Sequence, residues 1–296
     1  MPMNPEAQSQ SKPRHGRGMP GGPRKGFTAR EAVVVTTRRL SPSMVRVTFR
    51  CEELQGVELA FTDHYIKLLF VPDGADYQWP FKPGEIRESK PREMWPITRT
   101  YTIRSFDQLT GLMDVDFVLH GDEGLAGAWA AKAREGDVIG FGGPGGAWKP
   151  QPHYDRFVLA GDESAAPAIA AAVEALPAEA PASIFIEVED AAHRFEMPRE
   201  VTWIYREGAT AGTELARAVR NHGVPSGRTS WFVHGVAEMV KDVRRFLFAE
   251  NGVDRKDASI SGYWRLGMTE SQWQSSKREF VAEMEAQEAA AVQGRG

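Results

Sequence analysis

Between Phe27 and about Pro150, apolar and polar residues alternate in six short runs: REAVVVTTRRL, SMVRVTFRC, HYIKLLFV, RTYTIRSF, LMDVDFVLHG and GDVIGFGGP. Each run is rich in β-branched residues and bounded by turn formers. Side chains of a strand point alternately to opposite faces, so the pattern predicts an antiparallel barrel or sandwich of short strands. One segment breaks the period. In GLAGAWAAKAREG, Leu125, Trp129 and Ala133 fall on one helical face and Gly136 supplies a stop, which predicts a helix between the last two strands.

Beyond Pro150 the rhythm becomes strand and helix in turn: RFVLAG, ESAAPAIAAAVEAL, SIFIEV, VTWIYR, GTELARAVRNHG, TSWFVHG, AEMVKDVRRFLFAENG and DASISGYW. This order predicts a parallel, doubly wound sheet with helices on its faces. A last helical segment, ESQWQSSKREFVAEMEAQEAAA, is acidic and rich in alanine. The chain is therefore expected to divide into a tail (1–27), a barrel domain (28–152), an α/β domain (153–267) and a C-terminal helix with its tail (268–296).

Composition narrows the function. At 296 residues, with 42% hydrophobic content, the chain can bury two domain cores. Its net charge of −4 is uneven: residues 1–30 hold six basic side chains against Glu6 alone, leaving 30 basic and 39 acidic for the remainder. An acidic body argues against nucleic acid as a partner. The tail has ten Gly or Pro among its first 27 residues and no apolar run, so it is expected to be disordered. No stretch has the apolar length of a secretion signal or a membrane span, and the expectation is a cytoplasmic protein without membrane insertion. Cys51 is the only cysteine, which excludes an internal disulfide, an all-cysteine iron–sulfur cluster and a Cys-rich zinc site. The seven histidines show no paired ligand spacing, so no metal site is expected. Redox chemistry would have to come from a bound cofactor.

Four motifs are candidates for holding one. In WPITRTYTIRSFD, alternation puts Arg99, Tyr101 and Ile103 on one face and Thr100, Thr102 and Arg104 on the other. Such a strand suits a flat, phosphorylated ligand, although an ordinary half-solvated strand has the same look. HGDEGLAGAWA sets glycines at a helix start, where free N–H groups stabilise a pyrophosphate; a loop leading into a core helix is the plain alternative. GGPGG (142–146) lacks a phosphate loop's Lys and following helix and reads as an interdomain turn. LAGDESAAPAI follows a strand and opens a helix at the head of a parallel sheet. Its Asp162 and Glu163 would repel a pyrophosphate, so contact with a nicotinamide or with the domain seam fits better, and an ordinary capped helix fits as well. His120 and His234 each end a predicted strand.

Taken together, HYIKLLF, RTYTIRSFD, VDFVLHGDEGLAGAWA, GDES-A-PAI and SGYWRLG resemble the siderophore-interacting proteins, flavin-dependent ferric-siderophore reductases of the ferredoxin–NADP reductase superfamily, over roughly Arg30 to Gly267. The resemblance implies an antiparallel six-stranded flavin-binding β-barrel followed by a parallel doubly wound nucleotide-binding domain. It also implies FAD as cofactor, with NADPH or NADH as co-substrate. By the same resemblance Arg99 would contact the FAD pyrophosphate, Tyr101 would stack on the flavin or its ribityl chain, and Thr102 would bond the isoalloxazine edge near its reactive nitrogen, which makes Tyr101 and Thr102 the catalytic candidates. Asp116, Phe117, Val118 and His120 would line the flavin or adenine, and Ala126 and Trp129 belong to the phosphate-cradling helix start. Asp162 and Ser164 complete the cofactor set. Lys67 matches a basic residue with which the family attracts anionic ferric siderophores, a catecholate being the expected type, and Arg265 and Arg134 are further candidates. His193 and Arg194 in DAAHRF lean the donor towards NADPH, with ferredoxin as the alternative. A siderophore carrier with only vestigial flavin is the non-enzymatic alternative. Iron is substrate here, not a structural ligand set.

Overall fold

The computed structural model describes residues 28–119 and 124–293. Seven strands build the first domain: β1 (Arg30–Ser41), β2 (Met44–Arg50), β3 (Tyr65–Phe70), β4 (Ile97–Thr102), β5 (Ser105–Asp107), β6 (Leu112–Val118) and β7 (Val138–Gly145). All pair antiparallel, in the order β4-β3-β7-β1-β2-β6-β5. Six runs become seven strands because RTYTIRSF changes partner midway. The Ile103 N–H donates to the His64 carbonyl beside β3 (2.7 Å), whereas the Arg104 N–H donates to the Asp114 carbonyl of β6 (2.9 Å). Thus β4 and β5 form the two edges of one curled sheet, linked by two residues, and the ladder itself stays open between β4 and β6.

Alternation sorts the side chains as the pattern requires. Val45, Val47 and Phe49 of β2 and Met113, Val115 and Phe117 of β6 enter the core, and Arg46, Thr48, Asp114 and Asp116 face outward. After a short helix α1 (Pro83–Ser89), helix α2 (Leu125–Lys132) plugs one end of the sheet, with Trp129 packed on Phe49, Phe70 and Phe117. The helix is shorter than its apolar spacing predicts. Ala133 is already extended, and a turn in which Arg134 and Asp137 bond one another carries the chain to Gly136 and β7.

The second domain contains β8 (Arg156–Asp162), α3 (Ala166–Ala175), β9 (Ala182–Val188), β10 (Thr202–Tyr205), α4 (Thr213–His222), β11 (Thr229–Val236), α5 (Ala237–Arg244) and β12 (Ala258–Trp264). Its five strands are parallel, in the order β10-β9-β8-β11-β12. Helix α3 covers one face, and α4 and α5 cover the other. The last helix, α6 (Glu270–Gln293), stands beside edge strand β12. Trp273, Phe280 and Met284 pack with Ala237, and the Lys277 ammonium donates to Ser261 Oγ (3.1 Å) and the Gly262 carbonyl (2.7 Å). Towards its far end, Arg244 and Arg255 both bond the buried carboxylate of Glu288. No helix among the described residues is long and apolar enough to cross a membrane.

Candidate site at the domain seam

The carboxyl end of β12 meets the barrel at β4 and that of β8 meets it at the turn between β1 and β2, on the edge of the sheet where open α/β folds bind ligands. Strand β4 shows the expected alternation. Tyr101 turns inward, its ring 4.3 Å from that of Phe117, and burial raises its phenol pKa. Ile103 is in the core. Thr102 faces the other way, 8% exposed, with its hydroxyl next to the Tyr263 phenol of β12. Arg104 shares that face and clasps Glu174 of α3 through two bonds (2.8 and 2.6 Å). Glu270, the first residue of α6, accepts from the Thr100 N–H (3.2 Å) and lies 3.4 Å from Arg99 Nε. Burial raises the Glu270 carboxyl pKa against the opposing pull of Arg99 and the Thr100 amide.

On the α/β side, the β8–α3 turn is held by one carboxylate. Asp162 Oδ1 accepts from the amide and hydroxyl of Ser164, and Oδ2 accepts from the Val236 N–H (2.8 Å) and Trp264 Nε1 (2.8 Å). Gly235 has φ +141°, and a Cβ there would stand 2.6 Å from Asp162 Oδ2, so the carboxylate and the glycine require one another. Glu163 accepts from Ser43 Oγ of the β1–β2 turn (2.6 Å) and from Arg206 (3.2 Å), which ties the two domains. Deeper in, Tyr263 Oη lies 3.0 Å from His234 Nδ1, and His234 Nε2 lies 3.0 Å from Ser259 Oγ. The imidazole stacks on Phe232 with centroids 3.8 Å apart. Burial, reinforced by the charge of Lys277, pushes the His234 pKa down to about 3.

The remaining candidates fall into separate groups. Arg46 grips Asp116 through two bonds (2.6 and 2.8 Å) at the wall of an interdomain cleft of about 230 Å³, which Arg38, Arg104, Glu174 and Phe195 also line. Phe117 points into the core, Ala126 is buried and Trp129 is packed beside it. Val118 ends β6 against α2, close enough that a Cβ on Gly127 would stand 2.9 Å from its carbonyl. Lys67 sits opposite Thr100 in the β3–β4 register. Arg265 pairs with Glu238 (3.3 Å) and lies over the Phe280 ring (4.6 Å). Arg134 stands beyond the start of β7, at the opposite end of that strand from the Tyr65–Gly145 pair. His120 lies outside the described residues. Among those described, no group of three His, Cys, Asp or Glu could hold a metal ion.

These residues fit a dinucleotide flavin. Gly124 begins α2 at φ +87° with no side-chain cap and no acidic residue in the first turn, so the helix start presents N–H groups and positive dipole to an anion. Arg99 adds a cation, Tyr101 an aromatic surface and Thr102 a hydroxyl on one short strand. Residues 33–148 match the model of the siderophore-interacting FAD-binding domain, and residues 154–267 match the siderophore-interacting protein model. An uncharacterized protein of Mycobacterium tuberculosis is 42% identical over 86% of this chain and 95% of its own. The ferric vibriobactin reductase ViuB of Vibrio cholerae is 31% identical over 84% of this chain and 94% of its own. The chain belongs to the siderophore-interacting protein family. A third member of this kinship, the NADPH-dependent ferric-chelate reductase of Escherichia coli, is 26% identical over 81% of this chain and 94% of its own. Among solved structures, a siderophore utilization protein from T. fusca superposes with TM-score 0.70 at 34% identity, covering 82% of this chain and 95% of that one. The ferredoxin-NADP+ reductase of Plasmodium falciparum shares the fold, with TM-score 0.59 at 10% identity over 80% and 98% of the two chains.

In this siderophore-interacting protein, two seam residues, Glu270 and Lys277, escape the sequence motifs, and a third, Tyr263, lies in one without its role being legible there. Tyr263 sits inside the quoted SGYWRLG, but its contact with Thr102 comes from a distant strand and leaves no local signal. Lys277 did leave one, because it interrupts the Trp273, Phe280 and Met284 stripe at helical spacing. Burial and the like charge of Lys67 hold its ammonium pKa below the usual value.

Proposed function

We propose that this chain is a cytoplasmic FAD-dependent reductase that takes a hydride from NADPH and passes electrons singly to the iron of a ferric siderophore of the catecholate class. One observation carries the substrate reading: the bonded partners of Lys277 are a hydroxyl and a carbonyl, not a carboxylate, and Lys67 and Arg99 add positive charge at the seam that the single carboxylate of Glu270 offsets only in part. Positive potential concentrated there draws an anionic chelate and steers its encounter. Arg265, neutralised by Glu238, adds to that surface when the pair parts.

Arg99 and the α2 start would hold the FAD pyrophosphate, Tyr101 would support the ring system, and Thr102 would bond its edge. Asp116, Val118, Ala126 and Trp129 would line the barrel side, with Phe117 supporting them from the core, and Asp162 with Ser164 would shape the turn on the nicotinamide side. Bound FAD supplies the conversion of a two-electron donor into one-electron steps. Ferrous iron is then released because the hard oxygen donors of a catecholate favour the ferric ion. The exposed Arg194 after β9 supports NADPH, as does the E. coli relative's dependence on that donor. A second reading has its own support: α6 crosses the seam at Glu270, beside Arg99, which favours ferredoxin over a nicotinamide entering there.

The test is an anaerobic absorbance trace of the purified holoprotein with ferric tris-catecholate and NADPH, with ferrous iron trapped by a chelator. Bleaching of the flavin bands, then reoxidation dependent on the chelate, is the expected result. A flavin that stays oxidised with NADPH but bleaches with reduced ferredoxin moves the donor to ferredoxin. A flavin reducible by neither leaves a carrier.

A further inference from the structure

Behind Thr102, the residues Tyr263, His234 and Ser259 have no role in the site so far. Each link is made by a group that can both donate and accept: two hydroxyls and a phenol around a neutral imidazole. The Thr102 hydroxyl stands next to the Tyr263 phenol, Tyr263 Oη is 3.0 Å from His234 Nδ1, and His234 Nε2 is 3.0 Å from Ser259 Oγ. Thr102 is nearly buried at the seam, whereas Ser259 at the other end is only half-buried. Burial keeps His234 uncharged and the Tyr263 phenol protonated at neutral pH. A neutral imidazole carries one proton on either of two nitrogens, so the chain has two polarities. With the proton on Nδ1, His234 donates to Tyr263, Tyr263 to Thr102, and the Thr102 O–H is free to donate outward. With the proton on Nε2, His234 donates to Ser259, Tyr263 donates to His234, Thr102 donates to Tyr263, and the Thr102 oxygen is left as an outward acceptor.

We propose that Thr102, Tyr263, His234 and Ser259 form a proton wire that carries one proton out to solvent when the flavin is oxidised and one in when it is reduced by electrons alone, reversing its polarity each time it conducts. The proposal rests on the placement of Thr102 at the flavin edge under the function proposed above, and on its ferredoxin reading, since a hydride brings its own hydrogen to the ring. The balance is set by the reaction: a reduced flavin anion and two ferric ions give oxidised flavin, two ferrous ions and one proton, the electrons leaving one at a time. Thr102 receives that proton from the ring's central N–H as its own passes to Tyr263 Oη. The phenol proton passes to His234 Nδ1, the Nε2 proton passes to Ser259, and the Ser259 proton passes to water. After one passage every link points the opposite way, and Thr102 presents an O–H to a ring nitrogen that has become an acceptor. The Ser259 carbonyl, which also lies near the imidazole, favours a proton on Nε2 and so sets the flavin-free chain in the receiving polarity. The wire needs no charged residue along its length.

The test is 15N NMR of the histidine rings in the full-length protein, with the His234 signal assigned by its loss in His234→Gln. The proton is expected on Nε2 without FAD, on Nδ1 in the oxidised holoprotein and on Nε2 again after reduction with dithionite. Tyr263→Phe, which removes one oxygen, should retain FAD, abolish the change of tautomer and slow flavin reoxidation by ferric tris-catecholate about a hundredfold. Ser259→Ala should slow it less, because water can replace a half-buried hydroxyl. A single tautomer in both redox states of the holoprotein overturns the wire. Thr102→Val separates the two readings. Flavin bands displaced in that variant, with an unswitching His234 in the parent, leave the site standing and remove the wire, whereas unchanged flavin bands remove Thr102 from the flavin edge and the wire with it.

Discussion

Two polar clusters face the seam and are built on opposite principles. On the outer face of β6, Arg46 and Thr48 bind Asp116 and Asp114 with charges and fixed donors. Between β4 and β12, Thr102, Tyr263, His234 and Ser259 are joined without a charge. A guanidinium can only donate and a carboxylate can only accept, so the first cluster has one arrangement and holds the strands in it. Hydroxyls and a neutral imidazole can reverse, so the second cluster has two. Both lie in low-dielectric surroundings, where an orphaned charge costs more than an orphaned hydroxyl.

That contrast can be broken at several points. Arg46→Ala would leave the Asp116 carboxylate buried and unpaired, and urea unfolding should show a loss of about 3 kcal/mol; a loss no larger than that of His234→Phe would erase the distinction between the clusters. Arg99→Ala removes the charge-assisted contact proposed for the pyrophosphate, and FAD titration followed by fluorescence quenching should show affinity lower by about 2 kcal/mol, with the fold retained. The neutral cluster has its own signature in acid. His234 titrates near 3 when folded, far below the ordinary histidine value, so between those pH values the unfolded chain binds a proton that the native chain does not. Stability should therefore fall with decreasing pH by about 1.4 kcal/mol per unit below roughly pH 6.5, and His234→Phe should flatten that slope in pH-dependent unfolding. The smallest effect is expected at the rim: Glu174 is 49% exposed, so Arg104→Ala should cost only about 0.5 kcal/mol in the same assay.

What the sequence disclosed follows the range of each interaction. Alternation around Arg99 to Arg104 is local, and the strand places Tyr101 and Ile103 inward and Thr102 and Arg104 towards the second domain as the pattern requires. The order of strands and helices after Pro150 likewise announces the parallel sheet. The break of RTYTIRSF into β4 and β5 was not legible, because it depends on which carbonyl, His64 or Asp114, lies beside Ile103 and Arg104. Asp162 and Ser164 stand out in GDES, but the Val236 and Trp264 donors that orient the carboxylate come from strands far along the chain. His234 looked like any strand-end histidine until Tyr263 and Ser259 closed around it.

Helix α6 touches the barrel through Glu270 and the α/β domain through Lys277 and Glu288, and so acts as a brace across both. A brace anchored at both ends couples the melting of what it joins. Heating the intact chain should give one calorimetric transition, and a chain ending before Glu270 should give two, with the newly bared edge of β12 open to pairing with another molecule. In this architecture the C-terminal helix adds a third tie to the Ser43–Glu163 and Arg104–Glu174 bonds between the domains.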